Sequence, residues 1–236
     1  SKYSYSRFPE IGMTEYLLNK NHGHLILETG SSSLLVDTGA PSSVGKQRIH
    51  LCERDFPVMD NYLGVTLEWL IEQTGCKIDG LLGMDILSKF SVELEVPRNL
   101  IRFDESFASE GEVIPVTSVM GIPVIGIRIE GNDQQVFFDT GAQLSYADPD
   151  LMNGKDATGE MEDFYPGFGN FKTPVYELNV ELAGKFSICS FGILPDLLRN
   201  TLMLAGTSGI LGNEILQHFQ CLLEMEEKQM HFVSVS

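Results

Sequence analysis

The pattern of apolar and polar positions along this chain predicts a protein built mostly of short strands. Short apolar runs alternate with clusters of turn residues, such as 30–33 and 131–133, which is the spacing expected of β-structure. The predicted strands are 16–18, 24–28, 34–36, 91–96, 100–103, 113–116, 122–130, 135–138, 175–182, 186–193, 221–225 and 230–235. We therefore expect a mostly β fold with a few short helices.

Helical spacing of apolar residues is found at three places. Residues 66–73 have the clearest pattern, with Thr66 as the N-cap and Gly75 as the stop. Shorter helices are predicted at 84–90 and 212–219. Because residues 60–75 as a whole look helical, no hairpin is predicted there, and Trp69 is expected to pack into the core.

The chain repeats itself at a fixed offset of 129 residues. Seven apolar, glycine or acidic positions recur in register without a gap. They are Gly83, Ile86, Leu87, Phe90, Leu94, Glu95 and Phe103, which match Gly212, Ile215, Leu216, Phe219, Leu223, Glu224 and Phe232. A match of this length indicates duplication, or two copies of one fold.

A second repeat carries the candidate chemistry. Asp-Thr-Gly-Ala occurs at 37–40 and again at 139–142, each time after two apolar residues. Each copy reads as a strand that ends in a tight turn bearing a carboxylate, and each is followed downstream by two apolar residues and a glycine, at 81–83 and 210–212. The alternative is that the two aspartates are ordinary structural turn residues.

If the two loops meet, Asp37 and Asp139 face each other. Repulsion between neighbouring carboxylates keeps one proton on the pair, so that one group can take a proton from water while the other polarises a carbonyl. Thr38 and Thr140 are expected to hydrogen-bond to the opposite loop and lock the pair.

Two further features of these loops follow from residue type. Gly39 and Gly141 are expected to permit the tight turn and close backbone approach by a substrate. Ala40 and Ala142 offer no hydroxyl that could donate to the carboxylates and lower their pKa.

The paired motifs resemble those of the aspartic peptidases of the pepsin and retropepsin group, over about residues 25–235. That resemblance implies a two-lobed fold with pseudo-two-fold symmetry, Asp37 and Asp139 as catalytic residues, and neither cofactor nor metal. The polar, small residues at 106–112 are interpreted as a linker, which leaves a first lobe at 1–105 and a second, retropepsin-like lobe at 113–236. Pepsins usually carry Ser or Thr where Ala40 and Ala142 stand, so we expect a pH optimum of about 4–6.

The glycine-rich stretch 164–171 is similar to the tip of the family's flap, the hairpin that covers the cleft. Gly167, Phe168 and Gly169 are accordingly expected to contact substrate; the alternative is an exposed loop without such a role. Tyr165 is expected either to hydrogen-bond across the site or to serve as an aromatic anchor. Since no flap is predicted in the first half, the direction of the substrate stays open.

Composition narrows the partners. A net charge of −17 argues against nucleic acid and anionic membranes as partners, because their phosphates require Lys and Arg. No apolar run reaches the roughly 18 residues that span a bilayer.

The four scattered cysteines are expected to be free buried thiols. His22 and His24 could be metal ligands. Because no cluster of Cys or carboxylate residues stands beside them, the alternative is that they lie in a surface loop. The absence of an Asn-x-Ser/Thr sequon slightly favours the cytoplasm, with the periplasm and secretion left open.

The sequence therefore predicts a monomeric aspartic endopeptidase that acts on a peptide or protein substrate. Two alternatives are a peptide-binding module of the same fold without proteolysis, and a selective processing protease with one partner protein.

Overall fold

Most of the described residues lie in strands, and the helices between them are short. The computed structural model describes residues 12–108 and 111–235. The strands are β1 (Thr14–Asn21), β2 (His24–Glu28), β3 (Ser33–Val36), β4 (Val44–Gly45), β5 (Arg48–Leu51), β6 (Arg54–Pro57), β7 (Asn61–Tyr62), β8 (Val65–Thr66), β9 (Gly80–Leu82), β10 (Ser91–Glu95), β11 (Leu100–Asp104), β12 (Glu112–Pro115), β13 (Thr117–Val119), β14 (Ile122–Ile129), β15 (Asn132–Phe138), β16 (Ser145–Tyr146), β17 (Gly159–Tyr165), β18 (Gly169–Leu182), β19 (Lys185–Gly192), β20 (Gly209–Leu211), β21 (Phe219–Glu224) and β22 (Gln229–Ser234). The α-helices are α1 (Leu67–Thr74), α2 (Met84–Leu87) and α3 (Asp196–Leu204), and 3-10 turns occur at Val96–Arg98, Pro149–Met152 and Asn213–Gln217. The prediction of a mostly β protein with few short helices is confirmed.

Two large sheets contain most of these strands. The ten-stranded sheet has the order β12-β22-β21-β10-β11-β1-β2-β3-β9-β4, and the eight-stranded sheet has the order β13-β14-β15-β20-β16-β19-β18-β17. The first sheet takes β21 and β22 from beyond the predicted linker and β12 from its last residue onward, so the two halves of the chain share this sheet. Within that linker, residues 109–110 lie outside the described residues, as do residues 1–11 of the predicted first lobe.

The strands β10 and β21 join the two halves with a register that is unchanged when the halves are exchanged. Val92 lies opposite Leu223, and Leu94 lies opposite Cys221. The repeat offset of 129 carries Val92 to Cys221 and Leu94 to Leu223, so each pair maps onto the other. The repeat seen in the sequence is therefore also a repeat in the way the strands pair.

The helix α1 matches its prediction, but the residues before it do not. The Thr66 hydroxyl accepts the N–H of Trp69 at 3.2 Å, and Gly75 ends the helix with φ +68°. Residues 60–66 were predicted as helix and instead form the short hairpin β7–β8. Its turn places Leu63 at φ +51° and Gly64 at φ +88°, a left-handed pair that suits a two-residue hairpin and interrupts a helix.

The two shorter predicted helices are reduced to single turns. The span 84–90 is helical only over Met84–Leu87, and 212–219 forms a 3-10 turn at Asn213–Gln217. Their first N–H groups bond the carbonyls of Ala40 and Ala142, each at 2.8 Å, so the aspartate loops fix where each turn begins. The hairpin β5–β6 and the helix α3 had no predicted counterpart.

The burial of the cysteines and histidines can be set against the predictions from sequence. All four cysteines are free and buried, as predicted. His22 lies in an exposed turn, which agrees with the surface loop. His24 begins β2, as the predicted strand at 24–28 requires, but it is buried and not on the surface. Within 12–108 and 111–235, no group of three or more His, Cys, Asp or Glu side chains could hold a metal ion. None of the helices in those ranges has the length and apolar character needed to cross a membrane.

Candidate active site

Each Asp-Thr-Gly-Ala loop follows a strand held from one side by a glycine-containing strand. The strand β3 pairs in parallel with β9, and β15 pairs in parallel with β20. At the point where the strand ends, the N–H of Asp37 donates to the Leu82 carbonyl at 3.0 Å, and the N–H of Asp139 donates to the Leu211 carbonyl at 2.9 Å. The two aspartates are thus fixed by equivalent backbone contacts.

The two loops are locked together by reciprocal threonine hydrogen bonds. The N–H of Thr38 donates to the Thr140 hydroxyl, and the N–H of Thr140 donates to the Thr38 hydroxyl, both at 2.9 Å. The Thr38 hydroxyl donates to the Phe138 carbonyl at 2.7 Å, and that of Thr140 donates to the Val36 carbonyl at 3.0 Å. Both threonines are buried, and the cross-bonding expected from the sequence is present.

Gly39 and Gly141 each hold one carboxylate and make room for the other. The N–H of Gly39 donates to Asp37 Oδ1 at 2.8 Å, and that of Gly141 donates to Asp139 Oδ1 at 2.9 Å. A Cβ on Gly39 would overlap the carboxyl group of Asp139, and one on Gly141 would overlap that of Asp37. The close approach that requires glycine here is therefore made by the opposite carboxyl group, whereas the sequence had suggested a substrate.

The carboxyl groups of Asp37 and Asp139 are hydrogen-bonded to each other. Burial and the adjacent Asp37 charge raise the pKa of Asp139 well above its ordinary value. Burial also raises the pKa of Asp37, against the hydrogen bonds from Asp139 and the backbone that favour its charged form. The pair therefore holds one proton between its two carboxyl groups over a range of pH, with one group charged and the other neutral.

The glycine that ends each apolar-apolar-glycine motif is hydrogen-bonded to a serine that follows the aspartate loop of the same half. The N–H of Gly83 donates to the Ser43 hydroxyl at 2.8 Å, and the N–H of Gly212 donates to the Ser145 hydroxyl at 2.9 Å. The first half has one more hydrogen bond at this point, in which the Ser43 hydroxyl donates to Asp85 Oδ1 at 2.6 Å.

A cavity of about 430 Å³ opens above the carboxyl pair. Its apolar wall comes from both halves of the chain. The side chains in that wall include Leu35, Val44, Leu70, Leu81, Ile122, Phe171, Leu194 and Ile210. A cavity with apolar walls and a charged floor suits an apolar ligand that offers polar groups to the carboxyl pair.

The long hairpin, which consists of β17 and the first half of β18 (residues 159–175), borders this cavity. Of the three residues expected to contact substrate, Gly167 borders it, whereas Phe168 and Gly169 border a neighbouring hollow of about 360 Å³. Phe168 packs edge to face on Phe171, with ring centroids 6.0 Å apart. Tyr165 also borders the cavity, and burial together with the charges of both aspartates raises its pKa.

Several residues at the site were missed from the sequence. The Tyr146 hydroxyl donates to Asp163, which lies opposite Phe171 in the outer part of the long hairpin. Tyr146 stands 102 residues after Val44, the offset of the two Asp-Thr-Gly-Ala copies, and this equivalence is the signal that could have found it. Trp69, expected in the core, is half-buried and lines the cavity. The buried Asn213 amide donates to the carbonyls of Gly23 at 2.8 Å and Thr140 at 3.0 Å, and so ties a turn of the first half to the second loop.

Comparisons with known proteins give a partial structural likeness and no sequence family. No protein-family model and no curated protein matches the chain. Among solved structures, the chain is similar to the "Solution structure of Simian Foamy Virus (mac) protease", with 15% identity and a TM-score of 0.29. The similarity covers 39% of this chain and 88% of the viral one.

Proposed function

We propose that this protein is an aspartic-type endopeptidase with the two-lobed, pseudo-two-fold fold of that class. The observation that carries the proposal is the hydrogen-bonded pair Asp37 and Asp139, which shares one proton at the floor of an apolar cavity. Two structural turn aspartates would have no reason to be held carboxyl to carboxyl, because that contact costs free energy at neutral pH. The reciprocal bonds of Thr38 and Thr140 maintain it.

The proposed reaction uses both carboxyl groups twice. The charged carboxylate of the pair takes a proton from water as the water oxygen bonds to the peptide carbonyl carbon, and the protonated carboxyl group gives its proton to the carbonyl oxygen. In the resulting tetrahedral diol, the group that gave its proton takes back a hydroxyl proton while the other group protonates the nitrogen, and the C–N bond breaks. The products are a carboxylic acid and an amine, and the pair returns to its starting state without a covalent intermediate.

The proposed substrate is an extended peptide that lies between the carboxyl pair and the long hairpin. Backbone groups of a hairpin can hydrogen-bond an extended chain, and apolar pockets can take its alternating side chains. In this proposal the first lobe spans 1–105, the linker 106–112 and the second lobe 113–236, with the long hairpin as the flap. One chain supplies both carboxyl groups, so the reaction requires no second copy.

The raised pKa of each aspartate leads to an expected pH optimum. The working form of the pair carries one proton, so activity rises as the first group ionises and falls as the second does. Because burial raises the pKa of both groups and Ala40 and Ala142 offer no hydroxyl to offset it, both limbs shift upward. We expect maximal activity at about pH 4–6.

The test is cleavage of a proteome-derived peptide library, followed by mass spectrometry from pH 3 to 8. We expect cleavage that is blocked by a statine-containing peptide and abolished in Asp37→Asn and in Asp139→Asn, with both variants folded. Tight peptide binding without cleavage would indicate a binding module. Cleavage of one protein only, with the library untouched, would indicate a selective processing protease.

A further inference from the structure

Trp69 faces the cavity from the first half of the chain. The helix that carries it, α1, is fixed by its Thr66 cap and by the buried side chains of Leu67 and Leu70. Trp69 itself is half-buried, and its ring forms part of the cavity wall. The helix therefore presents a large aromatic side chain at a defined position on the side of the cavity that belongs to the first half.

The Trp69 ring meets a ring of the long hairpin, which belongs to the second half. Trp69 and Phe164 pack edge to face, with centroids 5.5 Å apart and planes at 86°, a favourable arrangement for two aromatic rings. Phe164 also lines the cavity, as does its neighbour Tyr165. The contact thus joins the two halves of the chain next to Tyr165, which lines the same cavity as both aspartates.

The long hairpin is anchored to its own half mainly below its tip. Among the described strands, β17 pairs with β18 alone. Near the base, the Thr173 hydroxyl accepts the N–H of Ile193 at 2.7 Å, and apolar side chains of the hairpin pack on the buried cluster of the second half. Farther out, the Tyr146 hydroxyl donates to Asp163, and Phe171 packs near Tyr146 with centroids 6.2 Å apart. Beyond these contacts the tip is a two-stranded ribbon, which can bend away from the cavity.

We propose that Trp69 is a positioning residue whose contact with Phe164 latches the long hairpin over the carboxyl pair. The proposal rests on the proposed function, because the ligand of the cavity is taken to be a peptide substrate. An extended peptide gains access only when the two rings separate. Once the peptide is bound, the rings meet again and hold the hairpin against it. The latch links access to the cavity with closure over it.

The latch makes a kinetic prediction that an ordinary binding contact does not. Loss of a binding contact speeds dissociation, whereas loss of a latch also speeds association, because the free protein no longer has to break it. Association should rise about two- to tenfold in Trp69→Ala and in Phe164→Leu, the rate ratio that corresponds to one edge-to-face pair. Trp69→Phe keeps a ring for the contact and should restore the wild-type rate.

The assay is stopped-flow anisotropy with a fluorescently labelled statine-containing peptide. The matched control is Ile71→Ala, because Ile71 lies on the same helix, is 37% exposed and does not line the cavity. This control should bind at the wild-type rate. A wild-type association rate in Trp69→Ala, measured on protein with an unchanged circular dichroism spectrum, would overturn the latch.

A second readout uses the free protein and separates the latch from the proposed function. Trp69 is the single tryptophan of the chain, so the fluorescence reports on the surroundings of this one ring, which include Phe164. Acrylamide should quench it more strongly in Phe164→Leu than in the wild type or Ile71→Ala. If the wild-type protein bound and cleaved no peptide, the proposed function would fail. Stronger quenching in Phe164→Leu would then still support the latch, and unchanged quenching would overturn it as well.

Discussion

Replacement of Thr38 by valine tests whether the reciprocal threonine bonds hold the two halves together. Thr38 is 1% exposed, and valine keeps the shape of its side chain while it removes the hydroxyl. The Phe138 carbonyl then loses its donor at 2.7 Å, and the Thr140 N–H loses its acceptor at 2.9 Å. Thr140 is fully buried as well, so neither group lies at the surface where water could replace the lost bond.

The expected loss follows from these two orphaned groups. A buried polar group left without a partner costs about 1–3 kcal/mol, so Thr38→Val should lower the free energy of unfolding by about 2–6 kcal/mol. That is a large share of the roughly 5–15 kcal/mol typical of a folded protein. Thr140→Val orphans the Val36 carbonyl and the Thr38 N–H, and should cost a similar amount.

Urea unfolding followed by circular dichroism measures this loss through the midpoint and the slope. The matched control is Thr158→Val, whose hydroxyl donates to the Val175 carbonyl at 3.2 Å on the surface; it should change stability by less than about 0.5 kcal/mol. The double variant Thr38→Val/Thr140→Val should lose less than the sum, since one loss already loosens the shared junction. A loss in Thr38→Val no larger than that in the control would refute the reasoning.

Three further predictions concern the carboxyl pair and the hairpin. The pKa of Asp139 is raised in the native protein, so the wild-type protein loses stability as pH rises above the ordinary carboxyl pKa and through that raised pKa. Asp139→Asn should therefore melt at a higher temperature than the wild type at pH 7 and lose that advantage at pH 3; calorimetry showing equal melting temperatures at pH 7 would contradict this. Gly141→Ala should lower kcat at least about tenfold, since its Cβ overlaps the Asp37 carboxyl group. A Cβ at Gly159 would meet no atom within 4 Å, so Gly159→Ala should leave kcat unchanged. Equal kcat values for the two variants would show that the overlap with the Asp37 carboxyl group does not limit catalysis. Tyr146→Phe removes the donor to Asp163 and should speed amide hydrogen exchange in β17 about tenfold, a loss of about 1.4 kcal/mol. Tyr176→Phe serves as its control, and equal exchange in both variants would exclude a role for that bond.

The sequence by itself determined the parts that depend on local pattern and on repetition. Strand-length apolar runs predicted the mostly β fold, and Thr66 and Gly75 predicted the ends of α1 because capping is decided within one turn of a helix. The two Asp-Thr-Gly-Ala copies predicted that Asp37 and Asp139 would be equivalent. Repetition is visible in sequence, and equivalent sequences adopt equivalent local structures.

Only the tertiary structure decided which residues from distant parts of the chain come into contact. The need for glycine at 39 and 141 comes from the carboxyl group of the other loop, which lies about a hundred residues away in the chain. The hairpin at 60–66 overrode an apolar spacing that also fits a helix, because Leu63 and Gly64 take left-handed backbone angles in the folded chain. Trp69 reads as a core residue in any local window, and its position against Phe164 depends on how two distant elements pack. Periodicity reports which side of an element is apolar, but the partner of that side is set by the fold as a whole.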